Sequence, residues 1–272
     1  MKRLFYWLAF AIGLTSIIGA EAVNAAFQPS AVAPAFDAMD EVLLANRLRN
    51  RGNFRFRVRP SRFRRGGFSR GSCPEEKAYG ISPKMDDFEA SGDFKKEPAP
   101  AYLTASDHPT LFMKVPALPS EAHGQLHIEI ENPDATTRNP KLYTAAFDLS
   151  GQEGIVGVRM PTEATALEAG KSYKWKVVIS CSEDLDDLST IPFLGGVVER
   201  VADIAGTPEE KFDYYWDEGI WQEVATLIAE ERYNNASPEA DANWADLMGA
   251  SGLAEYATTT IVEIVDATLF VE

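Results

Sequence analysis

Apolar and polar residues alternate with a period of two through the middle of the chain. Between Tyr173 and Cys181, five side chains at alternate positions are apolar or a thiol. Such alternation is typical of a strand with one face in the core. The same pattern predicts half-buried strands around Leu111, Leu126, Tyr143 and Val156, and shorter strands near Tyr102 and Val197.

The number and spacing of these strands predict a mainly β fold. About seven strands in about a hundred residues, separated by turn-forming stretches, match an antiparallel immunoglobulin-like β-sandwich. A barrel is the alternative. The segment 167–175 has the layout of a tyrosine corner that leads into a core strand. We assign residues 73–206 to the sandwich, and the proline and charge of its first part, up to Pro100, predict an acidic coil there.

After residue 206 the period changes to that of a helix. Thr207, Pro208 and Glu210 form a helix start, with Thr207 as N-cap and Glu210 closing a capping box. Apolar stripes follow at 220–228 and 240–248. Because such helices are too short to be stable alone, we expect a small C-terminal helical unit packed on the sandwich.

We place the helical unit at residues 207–257. Its alternative is one unit of a tetratricopeptide-like solenoid, although a single unit cannot bury its own faces. Residues 258–272 are rich in β-branched side chains. This tail either adds a strand or forms a sticky end.

Charge is distributed unevenly along the chain. The formal net charge is −15, but residues 1–70 hold 12 basic and 4 acidic residues, whereas the rest hold 14 and 37. An acidic body of this size repels nucleic acid, so we do not expect a nucleic-acid partner.

The first 25 residues resemble an export signal. Lys2 and Arg3 precede an apolar stretch at 4–18 that is short for a membrane span, and small residues suited to cleavage follow at Ala22 and Ala25. We predict a signal peptide over residues 1–25, a periplasmic or extracellular protein, and no transmembrane segment after cleavage. An uncleaved anchor is the alternative.

The chain has two cysteines, Cys73 and Cys181. In an oxidising compartment we expect them to pair. The disulfide would close a loop of about a hundred residues and so restrict the unfolded chain. The alternative is two separate thiols, one of them a small buried side chain.

Arginine and phenylalanine dominate the segment before Cys73. Residues 47–70 contain ten arginines, four phenylalanines and no acid. Like charges at this density repel one another, so we predict a disordered arm over residues 26–72, in which the Phe/Arg stretch at 54–59 forms an edge strand when docked. Candidate anion-binding residues are Arg55, Arg57, Arg59, Arg62, Arg64 and Arg65.

Three interpretations of the arm stay open at this point. It is a solvated linker, an arm that binds an anionic polymer, lipid or the cell envelope, or an intramolecular clasp on the acidic body. The second interpretation also admits another exported protein as the partner.

Motifs for catalysis and metal binding are weak. The chain has no Gly-x-Ser-x-Gly, phosphate loop, dinucleotide fingerprint or His-Glu-x-x-His. The acidic run at 183–187 lacks the glycine and the final Glu of a calcium loop. Asp213 and Asp217, near Trp216 and Trp221, fit either a carboxylate pair at a sugar site or a helix with an apolar core stripe. We expect no catalytic residue, metal or cofactor.

A series of short motifs runs through residues 71–256. The motifs are Gly71-Ser-Cys73-Pro74, Thr110-Leu-Phe112, Phe147, Gly154-Ile-Val156, Leu167-x-x-Gly170-x-x-Tyr173-x-Trp175, Cys181, Glu199-Arg200-Val201, Gly219-Ile220-Trp221 and Trp244-x-x-Leu247. Their order resembles one known family, domain-of-unknown-function family 928 (DUF928). The resemblance implies a bacterial, largely cyanobacterial group of exported proteins with a basic, low-complexity stretch before the first cysteine, and it implies no activity.

These patterns predict an exported, non-catalytic binding or assembly module of the cell envelope or extracellular space. Its partner would be an anionic envelope polymer, a lipid or another exported protein. The alternative is a carboxylate-dependent hydrolase of envelope polysaccharide that uses Asp213 or Asp217.

Overall fold

A computed structural model describes residues 55–64, 73, 78–84, 98–132, 140–182 and 190–270, without the side chains of residues 60–64, 98–100 and 190–194. This part of the chain forms eleven strands and three α-helices. The strands are β1 (Val58–Arg64), β2 (Tyr79–Ile81), β3 (Pro98–Thr104), β4 (Thr110–Val115), β5 (His123–Ile130), β6 (Lys141–Asp148), β7 (Gly154–Arg159), β8 (Ser172–Ser180), β9 (Thr190–Arg200), β10 (Ile261–Asp266) and β11 (Thr268–Leu269). The helices are α1 (Pro208–Asp217), α2 (Trp221–Asn234) and α3 (Pro238–Ala250).

Seven strands form a large sheet in the order β1-β3-β9-β8-β5-β6-β11. Strand β8 at its centre shows the predicted alternation, because its buried residues, with Cys181 directly after the strand, lie at every second position while those between are half-buried. The hydroxyl of Tyr173 accepts a hydrogen bond from the Glu168 N–H at 2.9 Å, as expected of a tyrosine corner. Alternation along the chain therefore located the central strand and its buried face.

Four strands form a small sheet in the order β10-β7-β4-β2. One face lies against the large sheet, so closely that a Cβ added to Gly80 would be 2.8 Å from the Trp175 ring. On the other face of the small sheet, the ring of Phe112 packs against Trp221 of α2 and Trp244 of α3, with ring centroids 6.4 Å apart in each pair. The order of layers is thus large sheet, small sheet, helices.

This layering changes one expectation. The alternation at 111–115 predicted a half-buried strand, but β4 is buried on both faces, and only Lys114 is partly exposed. The reason is that the C-terminal helices cover the small sheet instead of leaving it to solvent.

The mainly β architecture with a C-terminal helical part is confirmed. The immunoglobulin-like type of the sandwich stays a prediction. The sheets have seven and four strands, and two pairs are parallel, β3 with β9 and β7 with β10.

The helix starts and the tail follow local sequence rules. The Thr207 hydroxyl accepts from the Glu210 N–H, and the Glu210 carboxylate accepts from the Thr207 N–H, which completes the capping box. Of the two alternatives for the tail, the structure has the strand. It forms β10 in the small sheet and β11 in the large sheet, so residues 261–269 connect the two sheets.

Cys73 and Cys181 form a disulfide, with their Cα atoms 5.4 Å apart. Because Cys181 follows β8, the bond attaches the chain after the arginine-rich segment to the centre of the large sheet. Among the described residues, no helix combines the length and the apolar character needed to cross a bilayer.

Candidate functional site: the docked arginine segment

Within the predicted arm the structure describes residues 55–64, which we call the docked segment. It contains strand β1, which is antiparallel to β3 and pairs Val58 with Tyr102 and Arg59 with Ala101. Strand β1 lies at the edge of the large sheet, as expected of the Phe/Arg stretch when it is docked. This part of the arm contacts the body, as in the clasp interpretation.

Exposure alternates along the start of the docked segment. Arg55 and Arg57 are exposed, whereas Phe56 and Val58 are half-buried. The backbone is held at Arg57, whose N–H donates to the Gly219 carbonyl at 3.2 Å. The arginines consequently face solvent from a backbone that is fixed to the body.

The turn between α1 and α2 receives this backbone at Gly219. Gly219 has φ of +67°, and a Cβ at this position would be 2.5 Å from the Arg55 carbonyl oxygen and 3.0 Å from the Arg57 nitrogen. Any other residue would be strained here and would push the docked segment away. Beside it, Phe56 meets the ring of Trp221 edge-on at 6.4 Å.

Arg57 pairs with Glu218, the residue that caps the C-terminus of α1. The closest nitrogen–oxygen distance is 2.7 Å, and the two side chains are 65% and 41% exposed. Water and salt screen an ion pair this exposed, so it contributes little to stability.

Arg59 is held more firmly. It donates to Glu199 at 2.9 Å, to Glu131 at 3.1 Å and to the Ser172 hydroxyl at 2.8 Å. The Glu131 side chain is 2% exposed, and besides Arg59 it accepts from Asn132 at 3.5 Å. Burial disfavours the charge on Arg59, but the hydrogen bonds to Glu199 and Glu131 outweigh this effect and raise the pKa of Arg59.

Other predicted residues are not brought into this site. Arg62 and Arg64 belong to β1, but their side chains are not described. Arg65, the rest of the predicted arm up to residue 54, the signal segment 1–25 and the acidic run 183–187 lie outside the described residues.

One of the two tryptophans near Asp213 and Asp217 is not accessible to a sugar. On α1, Asp213 is half-buried and Asp217 is exposed, but Trp221 is fully buried. Trp216 packs on Phe212 at 6.0 Å. Trp221 thus lies at a core position, whereas Trp216 is half-buried.

The outer face of the large sheet carries a polar group around His127. A ring nitrogen of His127 lies 3.2 Å from the Thr144 hydroxyl. Burial, with Lys141 and Lys176 nearby, lowers the pKa of His127. Among the described residues, no group of three or more His, Cys, Asp or Glu is arranged to hold a metal ion.

A buried carboxylic acid, Glu223, escaped the sequence analysis. One of its oxygens accepts from the Thr104 hydroxyl at 2.6 Å and from the Ser106 N–H at 2.8 Å. The other oxygen is buried without a hydrogen-bond partner. Burial raises the pKa of Glu223. The sequence did contain a sign of this burial. Glu223 lies three residues after Ile220 and four before Leu227, so helical spacing puts it on the apolar stripe.

The comparisons with known proteins give a family and no activity. The family model described as Domain of Unknown Function (DUF928) matches residues 65–261. None of the curated proteins compared with the chain matches it. The matched part begins directly after β1, so the docked segment lies just outside it and contacts Gly219 and Trp221 within it. The chain belongs to the DUF928 family.

Proposed function

We propose that the protein is exported and binds an anionic polysaccharide of the cell envelope through its arginine-rich arm, without catalysis. One observation carries this proposal: Arg55 and Arg57 are exposed on a backbone that the body holds in place. A preformed site loses less conformational entropy on binding than a mobile chain does.

The chemistry of the site suits a polyanion. A guanidinium is always charged and makes paired hydrogen bonds to carboxylate, sulfate or phosphate groups. The Cα atoms of Arg55 and Arg57 are at most about 7 Å apart, because two residues of chain span no further. Two neighbouring cations of this kind match successive charges along a polymer better than one small anion.

Export is the second part of the proposal. The Cys73–Cys181 disulfide supports it, because such bonds persist mainly in oxidising compartments. The apolar stretch and small residues of segment 1–25 supply the sequence evidence for a leader.

The test is binding of the exported protein to immobilised polygalacturonate and dextran sulfate, with neutral dextran as the blank. The variant Arg55→Gln/Arg57→Gln is compared with Lys84→Gln/Lys171→Gln, which removes two cations elsewhere. We expect the arginine variant to bind about 10- to 30-fold more weakly, since each surface cation contributes about 1 kcal/mol near an anionic surface. The lysine variant should stay close to wild type.

Three outcomes would redirect the proposal. Equal losses in both variants would show that net charge alone matters. Binding to phosphatidylglycerol vesicles but not to the polymers would make the ligand a lipid surface. Cleavage of the polymer that is lost in Asp213→Asn or Asp217→Asn would instead support the hydrolase.

A further inference from the structure

We infer that Glu218 is an internal competitor for the anion-binding side chain of Arg57, whereas Arg59 is an anchor that stays on the body when the polymer binds. The inference rests on the proposed function and divides the arginines of the docked segment into two roles. It also explains how residues that pair with the body remain available to an external anion.

Arg57 can exchange Glu218 for an external anion. Its side chain is 65% exposed, and its contact with Glu218 is an exposed ion pair. Its backbone is held independently, by the N–H bond to Gly219 and by Phe56 against Trp221. The guanidinium is therefore free to rotate from Glu218 to an external carboxylate without undocking the segment.

Glu218 resembles the external ligand in charge and position. It lies at the C-terminal end of α1, where the helix dipole is negative, and the last turn of α1 contains no basic residue. Arg57 supplies the cation that this helix end lacks. When an external polymer takes Arg57, it must replace both attractions, so the apparent affinity is lower than that of a free Arg57.

Arg59 makes more contacts with the body, and its side chain is 42% exposed against 65% for Arg57. Arg59 bridges Glu199 in β9, Ser172 in β8 and Glu131, the residue directly after β5. If its guanidinium left, the buried Glu131 carboxylate would be left, among the side chains that the structure describes, with the long contact to Asn132. Although the Arg59 side chain is partly exposed, removing the cation from a carboxylate as buried as Glu131 is unfavourable, so we expect Arg59 to stay on the body.

The variant Glu218→Gln tests the competition in the full exported chain. We expect it to bind polygalacturonate about 2- to 5-fold more tightly, which is the range that the loss of an exposed ion pair allows. Glu153→Gln and Glu168→Gln are matched controls, because each removes one exposed carboxylate that pairs with a lysine. In the background Arg57→Gln, the gain from Glu218→Gln should fall to that of the controls.

The anchor is tested by stability. Arg59→Gln should lower the midpoint of thermal unfolding by about 4 to 8 °C, and Arg57→Gln by less than about 2 °C. Equal gains in Glu218→Gln and the two control variants would overturn the competition while leaving polymer binding intact. Absence of binding in both wild type and Glu218→Gln would overturn the proposed function, and the competition with it. A stable Arg59→Gln variant would overturn the anchor.

Discussion

The ring of Phe56 lies edge-on against the buried indole of Trp221, with centroids 6.4 Å apart and planes at 78°. The same indole contacts Tyr102 of the large sheet at 5.4 Å and Phe112 of the small sheet at 6.4 Å. Trp221 therefore joins the arm, both sheets and α2. Loss of the docked segment should therefore lower the free energy of unfolding of the whole body.

Phe56→Ala should lower the free energy of unfolding by about 1 to 2 kcal/mol, because the change removes a half-buried ring and its edge-to-face contact. Urea unfolding followed by tryptophan fluorescence measures the difference. Phe270→Ala is the control, since Phe270 is 53% exposed and its loss should change stability by less than about 0.5 kcal/mol. Equal effects of the two variants would show that the docked ring does not support the fold.

Gly219→Ala should displace the docked segment. The new Cβ would meet the Arg55 carbonyl oxygen at 2.5 Å, in addition to the strain of a positive φ. Gly170→Ala is the control, because it has the strain of a positive φ (+83°) without a clash: nothing lies within 4 Å of the added Cβ. Hydrogen exchange of the 55–64 amides should rise in Gly219→Ala and stay unchanged in Gly170→Ala. Unchanged exchange in both variants would contradict the docking.

The disulfide should be the largest single contribution to stability that a chemical treatment can remove. Its cysteines are 108 residues apart in sequence, and in the chain-entropy model such a closure stabilises by about 4 to 5 kcal/mol, less any native strain. Cys73→Ala/Cys181→Ala should therefore unfold at markedly lower urea concentration than the oxidised wild type. Reduced wild type should match the variant, and coincident curves for oxidised and variant protein would refute the expectation.

The raised pKa of Glu223 should make the stability of the protein depend on pH. Its folded pKa lies above the ordinary value of 4.5, so its protonated form contributes stability that is complete below pH 4.5 and is lost as the pH rises through the folded value. Glu223→Gln keeps an acceptor oxygen for Thr104 and Ser106 but does not ionise. The variant should gain thermal stability over wild type at pH 8 and not at pH 4.5. The exposed Glu163→Gln should show no such change with pH, and a gain independent of pH in Glu223→Gln would contradict the assignment.

The sequence predicted those features that depend on residues close together in the chain. The alternation from Tyr173 to Cys181 identified β8 and its buried face, because side chains alternate between the two faces of any strand. The capping box at Thr207 was found for the same reason, since its hydrogen bonds join residues three apart.

The rest depends on pairings between distant parts of the chain. Nothing near β3 in sequence indicates that β9 lies beside it in parallel, or that the helices cover β4. The arginine segment was predicted to be disordered because its own charges repel one another. The acids that pair with its arginines come from parts of the chain that are remote in sequence, at Glu131, Glu199 and Glu218. Sequence reasoning identified the arginines and could not locate their partners.

The salt dependence of polymer binding tests the central claim most directly. The affinity for polygalacturonate is measured between about 50 and 200 mM salt, where each ionic contact adds about 0.7 to 0.9 to the slope of log affinity against log salt. We predict a slope that is shallower by about 1 to 2 in Arg55→Gln/Arg57→Gln than in wild type. Identical slopes and affinities for the two proteins would contradict the account.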